Sequence, residues 1–599
     1  MSLSSFLLKT MERLLDHFIR SSLDQNKLSK SQHAYMKGKS VETALHTLIS
    51  CVEPGIRRQE YTLAAFLDIE GAFNNILSEA IIGAMREQNV DESVVRWIGN
   101  MLESRLVSGE IAGITLRRSV RRGTPQGGVI SPLLWLLVVD SLLKTLERNG
   151  VTVVGYADVI AILVNGKFPD VMSDLMERAL TTVKSWTEEN GLGVNASKTV
   201  LLLFSKRHNL PNFDLPKLDG VELELEPTGQ VKYLGVIIDR KLNWRANIEE
   251  RRKKALIAWY TCYRCIGRKW GLKPKLIRWL YLAVVRPILT YGSLVWWHAT
   301  KKKTKLDRLM NVQRQACIGI TGALRTTATT SLEVILNIMP IDIHIVGLAY
   351  NSALRLSSLG LFKACNSRFS HGSILSESTF QESDYTIKEV SFESIVETKF
   401  PERDLWSLGQ VIRDGEMQVY TNGSKTENGT GSGIFIEELD IRRSYKLSDS
   451  CTVFQAEVHA LLMAAETLLD TGVNGREISL YVDSQAAIMA IGTSTTYSRV
   501  VRECRKKISD LTKNNSVRVC WVPGHEDYVG NEEADKLAKA GAESTVICNR
   551  VKPPILATLG IFRKTNRLVS GWVDGKLLMI VKLQKFSGPP STLKRQKIY

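Results

Sequence analysis

The sequence predicts an α+β chain of more than one unit. Three observations predict it. Short apolar strands that run into an acid, such as TLAAFLDI (62–69), alternate with long runs at helical spacing, such as LLWLLVVDSLLKTLER (133–148). A polar, Ser/Glu-rich stretch at 365–410 has weak periodicity and reads as a linker. A new alternating strand, MQVYTNGS, opens after it at 417. At 599 residues the chain has room for about three or four domains.

Taken in order, residues 4–22 place Leu7, Met11, Leu14, Leu15 and Phe18 at helical spacing and predict a first helix. Residues 62–69 read as a buried strand. Residues 133–148 read as a buried helix, with Ser131 and Pro132 at its cap and first-turn positions. VTVVGYADVIAILV (151–164) is two apolar runs joined by a turn, hence a hairpin. Lys184 to Val200 passes from helix into loop, and 240–340 is mostly helical. After 545 the pattern weakens into a basic, Pro-containing tail. No repeat at a fixed period is present.

Composition excludes several classes. With 44% hydrophobic and 24% charged residues, the chain is neither wholly disordered, collagen-like nor a disulfide scaffold. Its longest near-continuous apolar run, Pro132 to Leu143, is too short to span a bilayer and contains Asp140, so no membrane span is expected. The opening MSLSSFLLKTMERLLDHF lacks the basic region and cleavage site of a secretory signal. Nine scattered cysteines fit a reducing compartment, so the nucleus or cytoplasm is expected rather than secretion. Cys262 and Cys265 form the only CxxC, and a zinc site there has no second pair or nearby His to complete it.

Net charge is +17, and it is concentrated. Arg240 to Arg308 holds 19 Lys or Arg against 3 acids. Aromatics are interleaved: Trp244, Trp259, Tyr260, Tyr263, Trp270, Trp279 and Tyr281. Long-stemmed charges beside flat rings suit a nucleic-acid backbone, although core aromatics under a solvated helical face would give the same pattern. Nucleic acid is the expected partner, bound without base readout and with a steep salt dependence. KKKTK at 301–305 has the composition of a nuclear signal but is short.

Two constellations carry the chemistry. In the first, Asp68 ends an apolar strand and Phe73 follows it. Asp158 sits at the tip of the predicted hairpin. Between them lies the glycine-rich loop Arg122-Gly123-Thr124-Pro125-Gln126-Gly127-Gly128, before Ser131-Pro132. An acid interrupting apolar strands is costly unless it is paired or bound to metal. Transfer of a phosphoryl group to a sugar hydroxyl calls for two divalent ions held by carboxylates on adjacent rigid strands. The loop lets the backbone approach a ligand, with a helix N-terminus behind it.

These pieces resemble the reverse transcriptase of non-LTR retrotransposons of the jockey-like and I-element-like group. FLDIEGAF (66–73), RRGTPQGGVISPLLW (121–135), GYADV (155–159), GLGVNASKT (191–199), VKYLGVIID (231–239) and RPILTYGSLVW (286–296) carry the likeness across roughly residues 3–340. The resemblance implies a right-hand polymerase of fingers, palm and thumb, with an antiparallel palm sheet and helices. It implies that Asp68 and Asp158 are metal ligands and that Phe73 is a steric gate against the ribose 2′-hydroxyl. By the same likeness Gln126 and Gly127 contact template base and incoming nucleotide, and Lys198 lies near the triphosphate. Two departures stand out. Val159 occupies the position of the family's second hairpin aspartate. Met1 also falls inside the first fingers motif, so this reads as a truncated copy without the preceding endonuclease. Lys37, Lys39 and the stretch Gln32–Ser40 remain as candidate template contacts.

The second constellation is Asn422 in a strand, Glu457 in FQAEVHALLMAAETLL, Asp483 ending ISLYVDS, and His525 and Asp535 in WVPGHEDYVGNEEADKLA. Glu457 alone could be an exposed helix acid, and Asp483 alone a helix cap. As a set over 415–545 they resemble ribonuclease H of the type attached to these elements, an α/β domain. The likeness implies that Glu457, Asp483 and Asp535 ligate two Mg²⁺ and that His525 helps release product. The family's first ligand is an aspartate, here degenerate as Asn422.

The resulting division is fingers and palm at 1–239, a basic helical thumb at 240–345, a connection at 346–412, the ribonuclease H-like domain at 413–545 and an unassigned basic tail at 546–599. Implied partners are an RNA template, a DNA primer, RNA–DNA hybrid and deoxynucleoside triphosphates. The implied cofactor is Mg²⁺, two per site, with Mn²⁺ as an alternative. No CCHC zinc knuckle is present. Loss of one carboxylate at each metal site suggests a decaying copy that still folds, with both activities impaired. The competing reading is a non-catalytic remnant or co-opted protein that holds RNA or hybrid. A third, an unrelated scaffold with chance motifs, is disfavoured by the order of the pieces.

Overall fold

The computed structural model describes residues 5–24, 27–111, 114–264, 271–365, 367, 370–375, 383–387, 389–390, 396–524, 526, 528–548 and 550–552. The described residues fall into two compact units: 5–349 with those of 365–373, and 350–364 with those of 374–552. Among the described residues no single helix is long and apolar enough to cross a membrane. The possible zinc pair and the basic tail lie in large part outside the described residues, because Cys265 and 553–599 are not among them.

The first unit opens with α1 (Phe6–Ser22), whose N-cap Ser5 accepts a hydrogen bond from the Leu8 N–H at 3.2 Å. An amphipathic stripe ordinarily faces the core. Here Leu7, Met11, Leu14 and Phe18 are exposed, and the helix buries Glu12 and Ile19 instead. Glu12 Oε2 accepts the Val129 N–H at 2.6 Å and so ties α1 to the glycine-rich loop.

After α2 (Val41–Arg57) comes the main sheet of this unit. Its central strand is β1 (Tyr61–Glu70), followed through the chain by α3 (Ser131–Arg148), β2 (Thr152–Tyr156), β3 (Val159–Gly166), α4 (Pro169–Glu189), β4 (Gly193–Val194) and β5 (Val200–Phe204). The order is β2–β3–β1, with β4 and β5 sharing the far edge of β1, and all pairings are antiparallel. Alternation along β1 sends Leu63, Ala65, Leu67 and Ile69 into one core with Leu133 and Leu137 of α3 and Met172 and Met176 of α4. Asp68 therefore falls on the other face.

The helix at 131–148 is buried on nearly all sides as far as Leu143, as its apolar run requires, and exposes its last turn. Its start differs from the expectation. Ile130 is the N-cap, and the Ser131 hydroxyl donates to the Pro125 carbonyl at 2.9 Å, bracing the loop rather than capping the helix. Asp140, the one acid in the run, is buried but paired: it accepts from the Ser29 N–H at 2.6 Å and meets Lys144 Nζ at 2.6 Å. A hairpin of β6 (Gln230–Tyr233) and β7 (Val236–Asp239) then leads into helices, chiefly α5 (Arg245–Tyr263) and α6 (Lys303–Thr321). The aromatics of this basic segment divide. Trp244, Trp259 and Tyr281 are core residues, while Tyr260, Tyr263 and Trp279 are exposed.

The second unit is a six-stranded mixed sheet. Its strands are β8 (Glu397–Lys399), β9 (Met417–Thr426), β10 (Gly429–Ile436), β11 (Ile441–Leu447), β12 (Glu477–Val482) and β13 (Ser516–Trp521), in the order β8–β13–β12–β9–β10–β11. Three helices matter here: α7 (Val453–Asp470), α8 (Arg499–Thr512) and α9 (Val529–Glu543). Helix α7 begins with a reciprocal capping box between Thr452 and Gln455. The sequence reading ends the connection at 412, but β8 already pairs with β13, and Trp406 is buried with its Nε1–H on the Trp521 carbonyl at 3.1 Å. These short pieces lack sequence periodicity because each contributes only one or two side chains to the core.

Candidate active sites: two carboxylate clusters

The β1–β3 register builds the first cluster. Asp68 is the cross-strand partner of Val159, and the Ile69 N–H donates to the Asp158 carbonyl at 2.9 Å. Asp158 therefore stands next to Asp68 at one end of the sheet. Burial, together with the charge of Asp68, pushes the Asp158 carboxyl up. Val159, half-buried, next to Asp158 in the chain and across from Asp68 in the sheet, offers no donor atom.

The turn that carries Asp158 is strained. Ala157, its first central residue, has φ of +57°, a conformation usually left to glycine or asparagine. Such a residue costs on the order of 1 kcal/mol or more. The buried Trp135 of α3 donates its Nε1–H to the Ala157 carbonyl at 2.9 Å, a bond whose net worth, about 1 kcal/mol, is of the same order. Trp135 also contacts Phe73, with ring centroids 6.0 Å apart. One side chain thus links the turn to the segment after β1. Nothing in the spacing of residues singled it out, since it reads as one more apolar position of the helix.

The glycine-rich loop is stitched to that same segment. Gly123 N–H donates to Ile76 O at 2.8 Å and Thr124 N–H to Phe73 O at 2.7 Å. Gly123 has φ of +73°, and a Cβ there would collide with the carbonyls of Phe73 and Asn74. Gln126 and Gly127 are exposed at the loop's crest. Lys198 is paired with Glu70 at 2.5 Å, and the hydrogen bond raises the lysine and lowers the glutamate. Glu70 is a carboxylate the sequence reading passed over, although period-two alternation puts it on the face of Asp68. Lys39 donates to the carbonyls of Lys30 and Gln32 at 2.6 and 2.8 Å, so its ammonium serves the protein's own backbone rather than standing open to a template. The segment it ties down is itself paired with the hairpin, through His33 N–H to Gly155 O at 2.8 Å.

In the second cluster, parallel pairing of β9 with β12 sets Thr421 beside Val482, so Asn422 and Asp483 emerge together. Asn422 Nδ2–H donates to Asp483 Oδ2 at 3.1 Å. Glu457 of α7 is almost wholly buried, and its Oε2 has no hydrogen-bond partner among the described residues. Burial first, then the charges of Asp483 and Asp535, raise its carboxyl well above the ordinary range. Asp535 of α9 pairs with Lys539 at 2.6 Å. His525 lies outside the described residues.

Each cluster has the chemistry of a divalent-cation site. Carboxylates repel one another across a small space, and in the second an oxygen is left orphaned. Neither is complete. Among the described residues, no three Asp, Glu, His or Cys side chains converge closely enough to hold an ion as they stand.

Comparison with known proteins decides the assignment. Residues 1–238 match the reverse transcriptase (RNA-dependent DNA polymerase) family and residues 414–543 match RNase H. The chain carries a reverse transcriptase domain followed by an RNase H domain. Similar proteins come from insect retrotransposons. The putative 115 kDa protein of the type-1 element R1DM of Drosophila melanogaster is 25% identical over 335 residues, 56% of this chain and 32% of that protein. The Pol polyprotein of the R1 element of Bradysia coprophila is 26% identical, covering 56% of this chain and 34% of its own length. The RNA-directed DNA polymerase of the mobile element jockey of D. melanogaster is 24% identical, with 55% and 36% covered. The chain thus spans about a third of these relatives' length. Among solved structures, RNase H1 of Halobacterium salinarum is 25% identical over 21% of this chain and 97% of its own, with a TM-score of 0.18. Apo telomerase of Candida tropicalis is 11% identical over 39% and 43%, with a TM-score of 0.28. Reverse transcriptase and RNase H domains act on nucleic acid with divalent metal ions. In this chain the strand-end acids belong to the reverse transcriptase domain and the Asn422–Glu457–Asp483–Asp535 set to the RNase H domain.

Proposed function

We propose that the chain is the polymerase and nuclease portion of a non-LTR retrotransposon protein, with both activities impaired. The reverse transcriptase domain would copy an RNA template from a DNA primer using deoxynucleoside triphosphates. The RNase H domain would hydrolyse RNA in RNA–DNA hybrids. The observation that carries this reading is the register that sets Asp68 against Val159, with Asp158 adjacent: two carboxylates side by side where the chemistry calls for a fuller set.

Asp68 and Asp158 would hold a divalent ion in one domain, and Glu457, Asp483 and Asp535 in the other, with Mg²⁺ or Mn²⁺ as the ion. Such an ion supplies charge stabilisation for phosphoryl transfer and hydrolysis. Two per site is the full complement, and each site lacks one carboxylate for it. Phe73, braced by Trp135, would exclude a ribose 2′-hydroxyl. Gln126 and Gly127 would meet the template base and incoming nucleotide. Lys198 would leave Glu70 to reach the triphosphate. His525 would assist product release. The scattered cysteines suit a reducing compartment, nucleus or cytoplasm.

The same two substitutions favour a second reading, a protein that holds RNA or hybrid without turning it over. Primer extension on an RNA template with Mg²⁺, comparing this chain with Val159→Asp, separates the two. Extension by the revertant alone supports an impaired polymerase. Binding without extension by either chain supports the second reading.

A further inference from the structure

A cavity of about 440 Å³ lies in the first unit, away from the carboxylates. It is lined by Arg57, Lys206, Lys241, Lys301, Lys302 and Lys305, contributed by the end of α2, the turn after β5, the turn after β7 and the start of α6. Its distance from the first cluster follows from register. Phe204, two residues before Lys206, pairs with Thr62, and Thr62 precedes Asp68 by six positions, about 20 Å of strand.

The charge in this cavity is not balanced from within. Among the described lining residues Glu53 is the one carboxylate, and it is committed: it accepts from the Ser370 hydroxyl and from the His371 N–H at 3.0 Å. Lys305 donates to the Asn243 carbonyl and feels the charge of Asp239, a carboxylate outside the lining that is already taken up by the backbone N–H groups of Asn243 and Trp244. Two ring nitrogens of the wall, Trp244 Nε1 and His298 Nδ1, are buried without a hydrogen-bond partner among the described residues. Trp244 is completely buried and sits at φ of +63°, held there by its own N–H on Asp239 Oδ2 at 2.7 Å. Like charges gathered round one space repel unless an anion enters.

We propose that this cavity binds phosphate groups. A compact, multiply charged anion matches six cations better than a single carboxylate does, and the volume falls within the range of small-ligand sites and far below that of a duplex. The phosphates would come from a free polyphosphate or from the backbone of a single strand. The site stands apart from polymerase chemistry, so a binding readout tests it whatever the fate of the catalytic reading.

The experiment titrates the full chain by calorimetry with inorganic tripolyphosphate and, separately, with a ten-nucleotide oligothymidine, at matched ionic strength. The variants are Lys206→Gln/Lys241→Gln/Lys302→Gln and, as a charge-matched control on exposed positions of the same unit, Lys27→Gln/Lys167→Gln/Lys217→Gln. We expect saturable binding that weakens at least tenfold in the cavity variant and changes less than twofold in the control. Tripolyphosphate binding assigns a free polyphosphate, and binding of the oligonucleotide alone assigns a phosphodiester strand. In the absence of ligand the cavity variant melts at or above the parent temperature, because repulsion has been removed. Absence of saturable binding by either probe overturns the proposal. So does an equal loss in the two variants, which means adventitious attraction to net charge.

Discussion

The two clusters lose the same kind of group and respond differently. In the reverse transcriptase domain the replacement is apolar and the surroundings are open: Asp68 is exposed and Val159 brings nothing to it. In the RNase H domain the replacement is an amide in a buried place, with Asn422 and Glu457 each only 4% exposed. There the amide hydrogen-bonds to Asp483, so the site keeps its internal polar contact while losing charge. An open site can leave repulsion to water. Both sites push a carboxyl up, Asp158 in the first and Glu457 in the second, but only the buried one adds a hydrogen bond between the replacing side chain and an acid. Geometry is thus better preserved in the second site than ligand charge is in either.

The largest effect expected from this contrast is in the open site. Val159→Asp should raise primer extension by roughly 100-fold or more, since groups that act as a unit fail together. Equal extension by the unmodified chain would end the claim of impairment. Asn422→Asp should raise hybrid cleavage more modestly, by about tenfold, because the amide already stands beside Asp483 and lacks only the charge. A gain in cleavage larger than the gain in extension would reverse the ranking of the two sites.

Glu53 shows what a buried carboxylate does when its partners are complete. Burial alone would raise it, but the His371 imidazole and the Ser370 hydroxyl outweigh that and bring it down to about 2. Its folded value lies below its unfolded one. The stability it lends is therefore present above roughly pH 4.3 and is lost as pH falls toward 2. Glu53→Gln should cost about 2 kcal/mol at pH 7, with the gap between variant and parent closing in acid denaturation profiles. The smallest effect is at the strained turn. Trp135→Phe removes one N–H donor and should cost about 1 kcal/mol in chemical denaturation. In the Val159→Asp background it should lower kcat more than it raises KM, since the turn positions Asp158 rather than substrate.

What the sequence made legible follows from how local each signal is. An acid closing an apolar strand, a hairpin tip and a buried helix are written in consecutive residues, and Asp68, Asp158, Glu457 and Asp483 fall where such reasoning puts them. Side chains acting across the fold were not legible. Trp135 looks like any apolar helix position until its indole meets Ala157. Glu12 looks like a surface acid, yet it is buried and reaches the Val129 N–H. The basic segment suggested one surface, whereas folding sent half of its aromatics to the core and gathered some of its lysines with Arg57 and Lys206, which lie far away in sequence.

Glycines of the second sheet set one more boundary. Gly423 lies directly under the main chain of Ala456 and Glu457, and Gly433 under that of Ala534, beside Asp535. Only the Cβ atoms of Ala456 and Leu537 join the main chain in these contacts, so two helices rest on bare strand like beams on a sill. Even a single methyl group at either point would lift a whole helix and its acid with it. Drift at this site can therefore come through residues that bear no functional group at all.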